Sequence, residues 1–321
     1  MKESSKTLIT IVISLLILSL VSIGSIYYKD TIYLFMRDTV LHKRENIKLK
    51  KNKYYRDYDF LFVQNTNDFI AKDKKHLLNI IYTILNSGSD KFEFYCDNSY
   101  DACISDIEDM FPESNLSYEI NNSNNALLSN INNYVHPYNS FKKIYIRYND
   151  YGEVIVTFDK TYSDKQIKEI NTEIKKIEKE IINDKMTDKE KIKAVHDYII
   201  YNAKYKETED TSVAESNTAH NLLFNKESYC GGYADTMELF LEDLGIKSYK
   251  ITSERHVWNL VYLDGNWYHL DTTWDDSITE DKRGRTAVLF FLITDERLKQ
   301  LKVKNHDYDE KIYLELKKTN N

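Results

Sequence analysis

A cysteine, a histidine and an aspartate follow one another in the C-terminal half of the chain in an order that suits nucleophilic chemistry. Cys230 stands in the run Tyr-Cys-Gly-Gly-Tyr, His256 begins a strand-like run, and Asp271 follows in the next such run. A thiol becomes a strong nucleophile when a neighbouring base takes its proton, and a carboxylate can hold that base in the productive tautomer. These three residues therefore predict a triad that attacks a carbonyl carbon.

Cys230 is expected at the first turn of a helix. Gly245 is expected to end that helix. Its apolar residues recur on one face, at Tyr233, Met237, Phe240, Leu241 and Leu244. The N–H groups and the positive dipole end of the helix would stabilise a thiolate at its start. Gly231 and Gly232 carry no side chains, so we expect a substrate backbone to approach closely and the Cys230 amide to face a developing oxyanion.

The histidine and the aspartate fall in a predicted β-hairpin. Residues 256–263 and 267–273 are rich in β-branched and aromatic residues, and they flank Asp264 and Gly265. An Asp-Gly pair between two such runs favours a two-residue turn. The pattern therefore predicts two antiparallel strands joined at Asp264 and Gly265.

The length of this turn decides whether the triad can form. A two-residue turn places Trp258 opposite Asp271. His256 then faces Thr273 and lies diagonal to Asp271 on the same face of the hairpin. His269 shares that face, and we interpret it as a polar neighbour. We interpret Trp258 as a packing residue, which beside the site could also exclude water. A three-residue turn would move His256 and Asp271 to opposite faces.

Three motifs resemble the transglutaminase-like superfamily. They are the cysteine helix YCGGYADTMELFLEDLGI, the hairpin HVWNLVYLDGNWYHLDTTWDD and the upstream helix DKEKIKAVHDYIIYNAKY. The resemblance covers roughly residues 185–295 and implies a papain-like fold. It implies that Cys230 is the nucleophile, His256 the base and Asp271 the orienting acid. For anchored members it also implies a domain outside the membrane.

Other interpretations of the same residues stay open. A lone cysteine is commonly an inert core residue, and a papain-like shape can serve as a binding module without turnover. A zinc site from Cys230, His256, His269 and Asp271 would lack the paired Cys-x-x-Cys or His-x-x-x-His spacing typical of zinc sites. We therefore predict no metal and no cofactor, and we favour catalysis by the triad over a binding role.

The rest of the chain predicts an α+β protein of several segments. Residues 57–160 alternate strand-like and helix-like runs and indicate a small α+β domain. A capping box at Ser163 and Gln166 begins a connector helix within residues 161–186. Residues 187–321 form the predicted catalytic domain, in which the cysteine helix packs on an antiparallel sheet.

The elements of the small domain follow from local patterns. We expect strands at 59–64 and 92–96, helices at 76–85 and 102–111, and a hairpin of 142–148 and 153–158. Two further stretches are polar: residues 114–133 predict loop and helix ends, and residues 206–218 predict a surface loop. The second of these loops is expected near the mouth of the site.

The N-terminus predicts a membrane anchor. Residues 8–28 carry no charge and are long enough to cross a bilayer as one helix. No small-residue cleavage pattern follows them, so we expect residues 1–28 to form a single-pass signal anchor. A cleaved signal peptide and a buried core helix are the alternatives. Residues 29–56 are basic and predict a stalk.

The orientation of the anchor depends on opposing indications. The positive-inside rule alone would keep the basic stalk in the cytoplasm, whereas the resemblance implies a domain on the other side. Cys96 and Cys103 could form a disulfide outside the cell and leave Cys230 as the free thiol, or they could be two buried thiols. We predict a protein of the cell membrane whose catalytic domain is extracytoplasmic.

These inferences combine into a functional hypothesis. The formal net charge of −7 gives no reason to expect a nucleic-acid partner. The chain is predicted to be an anchored thiol enzyme that attacks an amide or peptide carbonyl through a Cys230 thioester. With water as acceptor it is a peptidase or amidase acting on protein or cell-wall peptide, which we favour. With a lysine amine as acceptor it is a protein-glutamine γ-glutamyltransferase.

Overall fold

The computed structural model describes residues 2–41, 43–44, 47–110, 117–119, 127–207, 213–278 and 288–318. The α-helices are α1 (Lys2–Tyr27), α2 (Lys29–Phe35), α3 (Lys74–Asn86), α4 (Cys103–Met110), α5 (Leu127–Asn133), α6 (Asp164–Ile181), α7 (Asp188–Asn202), α8 (Val213–Ser216), α9 (Ala219–Asn225), α10 (Cys230–Asp243), α11 (Thr272–Ile278) and α12 (Asp295–Leu301). A π-helical turn spans Met36–Val40, and 3₁₀ turns span Pro137–Asn139, Lys304–His306 and Leu314–Lys318. The strands are β1 (Ile70–Ala71), β2 (Lys91–Cys96), β3 (Ser117–Glu119), β4 (Phe141–Tyr148), β5 (Glu153–Lys160), β6 (Lys204–Tyr205), β7 (Glu227–Ser228), β8 (Ser248–Thr252), β9 (Val257–Leu263) and β10 (Asn266–Leu270).

The first half of the chain builds a five-stranded sheet in the order β1-β2-β5-β4-β3. β1 is parallel to β2, and the other neighbours are antiparallel. The expected helices and the β4–β5 hairpin are confirmed with small differences at their ends. The expected strand at 59–64 is wrong, because these residues have irregular backbone. Parts of the stretches 114–133 and 206–218 lie outside the described residues. The described part of the first contains β3 and α5, and that of the second contains the short helix α8, so the expectation of loop throughout 206–218 is wrong.

Capping boxes begin the two helices that lead to the cysteine. Ser163 and Gln166 exchange side-chain and backbone hydrogen bonds at the start of α6, as predicted. Thr187 and Glu190 do the same at the start of α7. The isoleucine stripe of α6 is buried where this helix meets α7 and α9, at Ile170, Ile174 and Ile177. Burial of this stripe fixes α6 on the part of the chain that carries Cys230.

A second sheet has the strand order β10-β9-β8, with antiparallel neighbours. Leu263 pairs with Asn266, so the turn contains two residues, as predicted. Asp264 and Gly265 have φ of 51° and 85°, the left-handed pair that a type I′ turn requires. α10 lies against β8 and β9, and Asn259 Nδ2 of β9 donates to the Ala234 carbonyl of α10 over 3.0 Å. The cysteine helix therefore packs on an antiparallel sheet.

β10 ends three residues before the predicted position. Thr272 already belongs to α11, so the expectation of strand up to residue 273 is wrong. Asp271 explains the difference, because its Oδ1 accepts a hydrogen bond from the Trp274 backbone N–H over 3.1 Å. A carboxylate in this position caps a helix N-terminus. Asp271 thus ends the strand and begins the next helix.

Tyrosine side chains join the two sheets through one buried apolar cluster. Tyr134, which follows α5, stacks on Tyr249 of β8 with ring centroids 5.0 Å apart and an interplanar angle of 19°. The Tyr134 hydroxyl donates to the Ile312 carbonyl over 2.8 Å. Phe60 meets both rings edge-on. Aromatic packing of this kind buries large apolar areas and orients one sheet on the other.

Apolar side chains of the N-terminal segment are exposed from Val12 onward. In the described part of the chain no single helix is long and apolar enough to cross a bilayer. Val12–Tyr27 and Lys29–Val40, bent by 74° at their junction, meet the length and composition together. The single spanning helix predicted over residues 8–28 is therefore not found among the described residues.

Residues 29–56, expected as a basic stalk, make specific contacts with the rest of the chain. Arg37 is 2% exposed, and its Nη1 donates to the Tyr151 carbonyl over 2.8 Å. Arg44 Nη2 donates to the Cys96 carbonyl over 3.0 Å. Arg56 is buried beside Glu238 of α10. Three of the basic residues are thus used in packing rather than presented to solvent.

Cys96 at the end of β2 and Cys103 at the start of α4 form a disulfide. Of the two alternatives left open by the sequence, the disulfide is the one observed. Cys230 is the remaining cysteine, and it is a free, buried thiol.

Candidate active site

Cys230 is the first residue of α10 and is 6% exposed. The side chain of Asn217 caps this helix from outside, because its Oδ1 accepts a hydrogen bond from the Gly232 N–H over 3.1 Å. The first turn of a helix presents backbone N–H groups and a positive dipole end. The sulfur is therefore placed where a negative charge is stabilised.

Gly232 has a different role from the one expected. A Cβ at this position would lie 2.0 Å from Ser228 Oγ and 2.7 Å from the Thr218 carbonyl oxygen. Gly232 thus packs against the chain itself, and the expectation that it leaves room for a substrate backbone is wrong. The glycine lets the start of α10 approach β7 and the start of α9 closely.

Gly232→Ala is expected to lower the free energy of unfolding by about 1–3 kcal/mol, because the added methyl group overpacks this contact. Urea unfolding followed by tryptophan fluorescence measures the change. Gly24→Ala is the control, since a Cβ there meets nothing within 4 Å. Equal unfolding curves for the Gly232→Ala and unmodified proteins would contradict the close packing.

The hairpin brings His256 to Asp271. His256 Nε2 lies 2.5 Å from Asp271 Oδ2, and the two side chains are 5% and 1% exposed. His256 immediately precedes β9, while Asp271 immediately follows β10. The two-residue turn therefore places His256 in contact with Asp271, as the sequence predicted. Because Nε2 faces Asp271, Nδ1 is the ring nitrogen left for the thiol.

Charge and hydrogen bonding set the protonation of this pair. Burial alone would lower the pKa of His256, but the charge of Asp271 and hydrogen bonds to Asp271 and Cys230 raise that pKa to about 10. Burial alone would raise the pKa of Asp271, but the charge and hydrogen bond of His256 hold it well below its usual range. The contact therefore favours a charged imidazole facing a charged carboxylate.

Aromatic rings enclose the imidazole. Trp258 stacks on His256 with centroids 5.6 Å apart and an interplanar angle of 13°. Its indole Nε1 donates to His269 Nδ1 over 3.0 Å, so His269 is a polar neighbour on the expected face. Trp274 meets His256 edge-on at 6.3 Å. A dry aromatic wall strengthens the interaction between His256 and Asp271.

Tyr205 of β6 marks the outer side of the site. It is 42% exposed. Burial, followed by the negative charge of Cys230, raises its pKa to about 12. Tyr205 contacts the ring of Tyr229, the residue before the thiol, edge-on at 6.1 Å. The expected loop at the mouth begins just after Tyr205, and residues 208–212 within it lie outside the described part of the chain.

A second histidine reaches the same carboxylate, and the sequence did not indicate it. His306 Nε2 lies 2.8 Å from Asp271 Oδ2, the oxygen that also faces His256. His306 belongs to a 3₁₀ turn far from the three motifs. A single histidine in a polar turn carries no periodic or spacing signal. The contact is visible only in the folded chain.

One group of potential metal ligands is found among the described residues. The donor atoms of His256, Asp271 and His306 lie within 4.8 Å of one another. Both imidazoles are at hydrogen-bonding distance from one Asp271 oxygen. This arrangement describes two N–H donors on one carboxylate, so we interpret it as a hydrogen-bonded group rather than a metal site.

The assembled site has the parts required for acyl transfer through a thiol. Cys230 lies at a helix start, His256 contacts it, and Asp271 holds the imidazole from behind. A thiol activated in this way can attack a carbonyl carbon and form a thioester.

Comparison with known protein families finds a match for part of the chain. Residues 175–272 match the model of the transglutaminase-like superfamily. The match includes all three predicted site residues and ends one residue after Asp271. No curated protein matches the sequence.

Solved structures also show likeness. They include a TGase, with 15% identity and a TM-score of 0.33 over 46% of this chain and 47% of that one. A proposed cysteine protease from Cytophaga hutchinsonii has 14% identity and a TM-score of 0.28 over 40% and 61%. The periplasmic domain of TgpA from Pseudomonas aeruginosa, bound to ethylmercury, has 13% identity and a TM-score of 0.26 over 38% and 55%. This chain thus covers about half of the length of the first of these.

Proposed function

We propose that the chain is a member of the transglutaminase-like superfamily, whose model matches residues 175–272, and that it is a thiol enzyme that attacks an amide or peptide carbonyl. The favoured reaction is hydrolysis, as in a peptidase or amidase acting on protein or cell-wall peptide. The observation that carries the proposal is the contact of His256 Nε2 with Asp271 Oδ2 at 2.5 Å, behind a thiol at a helix start.

The proposed reaction runs in two halves. His256 Nδ1 takes the proton of Cys230, and the thiolate adds to the carbonyl carbon. The backbone N–H of Cys230 stabilises the oxyanion of the tetrahedral intermediate. His256 returns the proton to the leaving amine as the carbon–nitrogen bond breaks, which leaves a thioester on Cys230. Water, deprotonated by His256, then adds to the thioester and releases the acid and the thiol.

Asp271 orients the imidazole ring of His256. Its carboxylate fixes the proton on Nε2 and stabilises the charged ring that forms when the thiol is deprotonated. The aromatic enclosure by Trp258 limits the access of water to this pair. Asp271 thus favours the charged imidazole that forms when the thiol gives up its proton.

A peptide assay tests the proposal on the full chain purified in detergent. The protein is incubated with a tryptic digest of casein and with monodansylcadaverine, and products are identified by mass spectrometry. Hydrolysis gives new free carboxyl termini or deamidated glutamine, and transfer gives dansylated glutamine. Either product must disappear in Cys230→Ala. Products that persist in Cys230→Ala would overturn the proposal, and dansylated glutamine as the main product would replace hydrolysis by transfer.

We also propose that the folded part lies outside the cytoplasm and is held at the membrane by the N-terminal apolar segment. Two observations support this. The side chains of Val12 to Ile26 are largely exposed and apolar, which water does not favour. The Cys96–Cys103 disulfide is typical of an oxidising compartment.

Thiol trapping in intact cells checks the location. Cells are quenched with acid and treated with N-ethylmaleimide under denaturing conditions, before and after reduction. We expect one modified cysteine, Cys230, before reduction and three after it, because the disulfide protects the other two. A Cys96→Ser variant is the control and should expose Cys103 without reduction. Three modified cysteines in the unreduced protein would contradict an extracytoplasmic location.

A further inference from the structure

The Asp271 carboxylate is held by three hydrogen-bond donors, of which two are imidazoles. Its Oδ2 accepts from His256 at 2.5 Å and from His306 at 2.8 Å, and its Oδ1 accepts from the Trp274 N–H at 3.1 Å. Three donors on one carboxylate leave it little freedom to rotate. Of these three donors, His256 belongs to the predicted triad and the Trp274 N–H is a backbone group of α11. His306 is the additional side chain.

The ring of His306 is fixed by stacking. It is 4% exposed and lies parallel to Phe290, with centroids 5.0 Å apart and an interplanar angle of 7°. Trp258 lies 4.8 Å away on another side, and Trp274 meets the ring edge-on at 5.1 Å. An imidazole enclosed by three aromatic rings cannot turn away from Asp271 without a larger rearrangement.

The backbone that carries His306 is tied to the backbone that carries His256. Ser253 Oγ donates to the Asn305 carbonyl over 2.6 Å, and Ser253 pairs with Tyr308 in an isolated β-bridge. The Ser253 N–H donates to the His256 carbonyl over 2.8 Å. One residue therefore holds both histidines in fixed relative positions. This arrangement keeps their Nε2 atoms on the same oxygen.

The polar contacts of the His306 ring point to a role at Asp271. Within the described ranges, Nδ1 of His306 is buried and meets no hydrogen-bond partner. Burying an unsatisfied ring nitrogen costs free energy, so packing alone would favour an apolar side chain here. The titratable groups close to the ring are Asp271, His256 and His269. The hydrogen bond to Asp271 is therefore the contact that requires an imidazole at position 306.

We propose that His306 is a positioning residue that holds the Asp271 carboxylate in the orientation in which it supports the His256 imidazolium. The proposal rests on the proposed thiol chemistry, and it adds a fourth residue to that site. Without His306 the carboxylate keeps only the Trp274 N–H as a second anchor, and it can rotate away from His256. The imidazolium then loses support, and the thiolate of Cys230 loses its counter-charge.

The pH dependence of thiol alkylation tests this role. Iodoacetamide reacts with the thiolate, so the rate at each pH reports the thiolate and imidazolium pair on the full chain in detergent. We expect His306→Ala to move the acid limb of the profile upward by about one pH unit, which lowers the rate at pH 6 about tenfold. His306→Gln places an N–H donor near the position of Nε2 and should restore the unmodified profile to within about threefold.

A matched control separates positioning from packing. His136 is buried to a similar degree, at 7% exposure, and its ring contacts Tyr54 and Tyr138 outside the site. His136→Ala should lower thermal stability but leave the alkylation profile unchanged. An unchanged profile in folded His306→Ala, or equal shifts in His306→Ala and His136→Ala, would overturn the proposal. Ordinary thiol reactivity in the unmodified protein would instead refute the proposed function itself.

A spectroscopic measurement covers the case in which His306→Ala does not fold. In ¹⁵N-histidine-labelled protein, the Nε2 protons of His256 and His306 should both be shifted downfield by their shared carboxylate. The two resonances are assigned with His306→Gln, which removes one of them. Both should move when Asp271 is replaced by asparagine. A His306 resonance that does not respond to Asp271→Asn would overturn the proposal.

Discussion

Asp271→Asn is expected to lower the rate of Cys230 acylation about 10⁴-fold while the protein stays folded. Asparagine keeps the shape of the side chain but removes the negative charge that Oδ2 presents to two imidazoles, at 2.5 Å and 2.8 Å. The charge of Asp271 is a main cause of the raised pKa of His256. Without the charge of Asp271, the protonated form of His256 is no longer favoured. The neutral ring can then carry its proton on Nδ1 and turn the lone pair of Nε2 toward residue 271, and this tautomer cannot accept the proton of Cys230 on Nδ1.

Acylation is measured as the burst of nitrophenolate released from p-nitrophenyl acetate. Asp264→Asn is the matched control, because it makes the same chemical change in the exposed turn of the same hairpin. Asparagine suits the left-handed conformation of that turn, so the control should keep the unmodified rate. A burst in Asp271→Asn within tenfold of the unmodified protein would show that Asp271 does not orient the base.

The same substitution should change how stability depends on pH. Folding raises the pKa of His256 toward about 10, so its ionic stabilisation is complete below the unfolded value of about 6.5 and is lost as the pH rises. Folding lowers the pKa of Asp271, so its stabilisation is lost as the pH falls below about 4. The stability difference between the unmodified protein and Asp271→Asn should therefore be greatest between about pH 4 and 6.5.

The hairpin shows why part of this site is readable from sequence. Asp264 and Gly265 select a two-residue turn, and the strict alternation of side chains then decides which residues share a face. The observed pair Leu263 and Asn266 confirms that register. His256 and Asp271 meet because local rules act over a short stretch of chain. Such rules do not require knowledge of the rest of the fold.

The residues that sequence reasoning missed depend on contacts between distant segments. His306 reaches Asp271 from a 3₁₀ turn, which has no repeating pattern. Gly232 is needed because Ser228 and the Thr218 carbonyl approach it, and a pair of glycines beside a cysteine does not reveal that neighbour. The end of β10 was misplaced because Asp271 caps α11. In each case tertiary contacts decided the outcome.

Arg56 provides the largest such case, and its replacement by methionine is expected to lower the free energy of unfolding by about 3–5 kcal/mol. In the sequence it is one of many basic residues in an apparent stalk. In the fold it is 4% exposed, its Nη1 donates to the Tyr134 carbonyl over 3.0 Å, and its Nη2 lies 2.6 Å from Glu238 Oε1. Glu242 is a second carboxylate partner. Removing the guanidinium leaves Glu238 buried without its ion-pair partner.

Urea unfolding of the full chain in detergent measures the loss. Lys51→Met is the control, because the Lys51–Asp57 pair is exposed with atoms 3.6 Å apart and should contribute about 0–1 kcal/mol. The double variant Arg56→Met with Glu238→Gln should recover much of the stability, since it also removes the carboxylate that has lost its ion-pair partner. Equal losses in the single and double variants would show that Arg56 acts through packing rather than charge.

The consequence for function follows from the helix that Glu238 shares with Cys230. Glu238 lies about two turns after the thiol on α10. The ion pair therefore anchors the cysteine helix to the irregular segment that carries Arg56. Burial raises the pKa of Glu238 to about 7 even though Arg56 opposes the change. Without Arg56 this carboxyl should take up a proton at neutral pH, and α10 should lose its tie to Tyr134.

Alkylation of Cys230 in Arg56→Met should then slow down, and the double variant should restore the rate together with the stability. A rate that stays low in a double variant of restored stability would show that the guanidinium acts on the thiol directly.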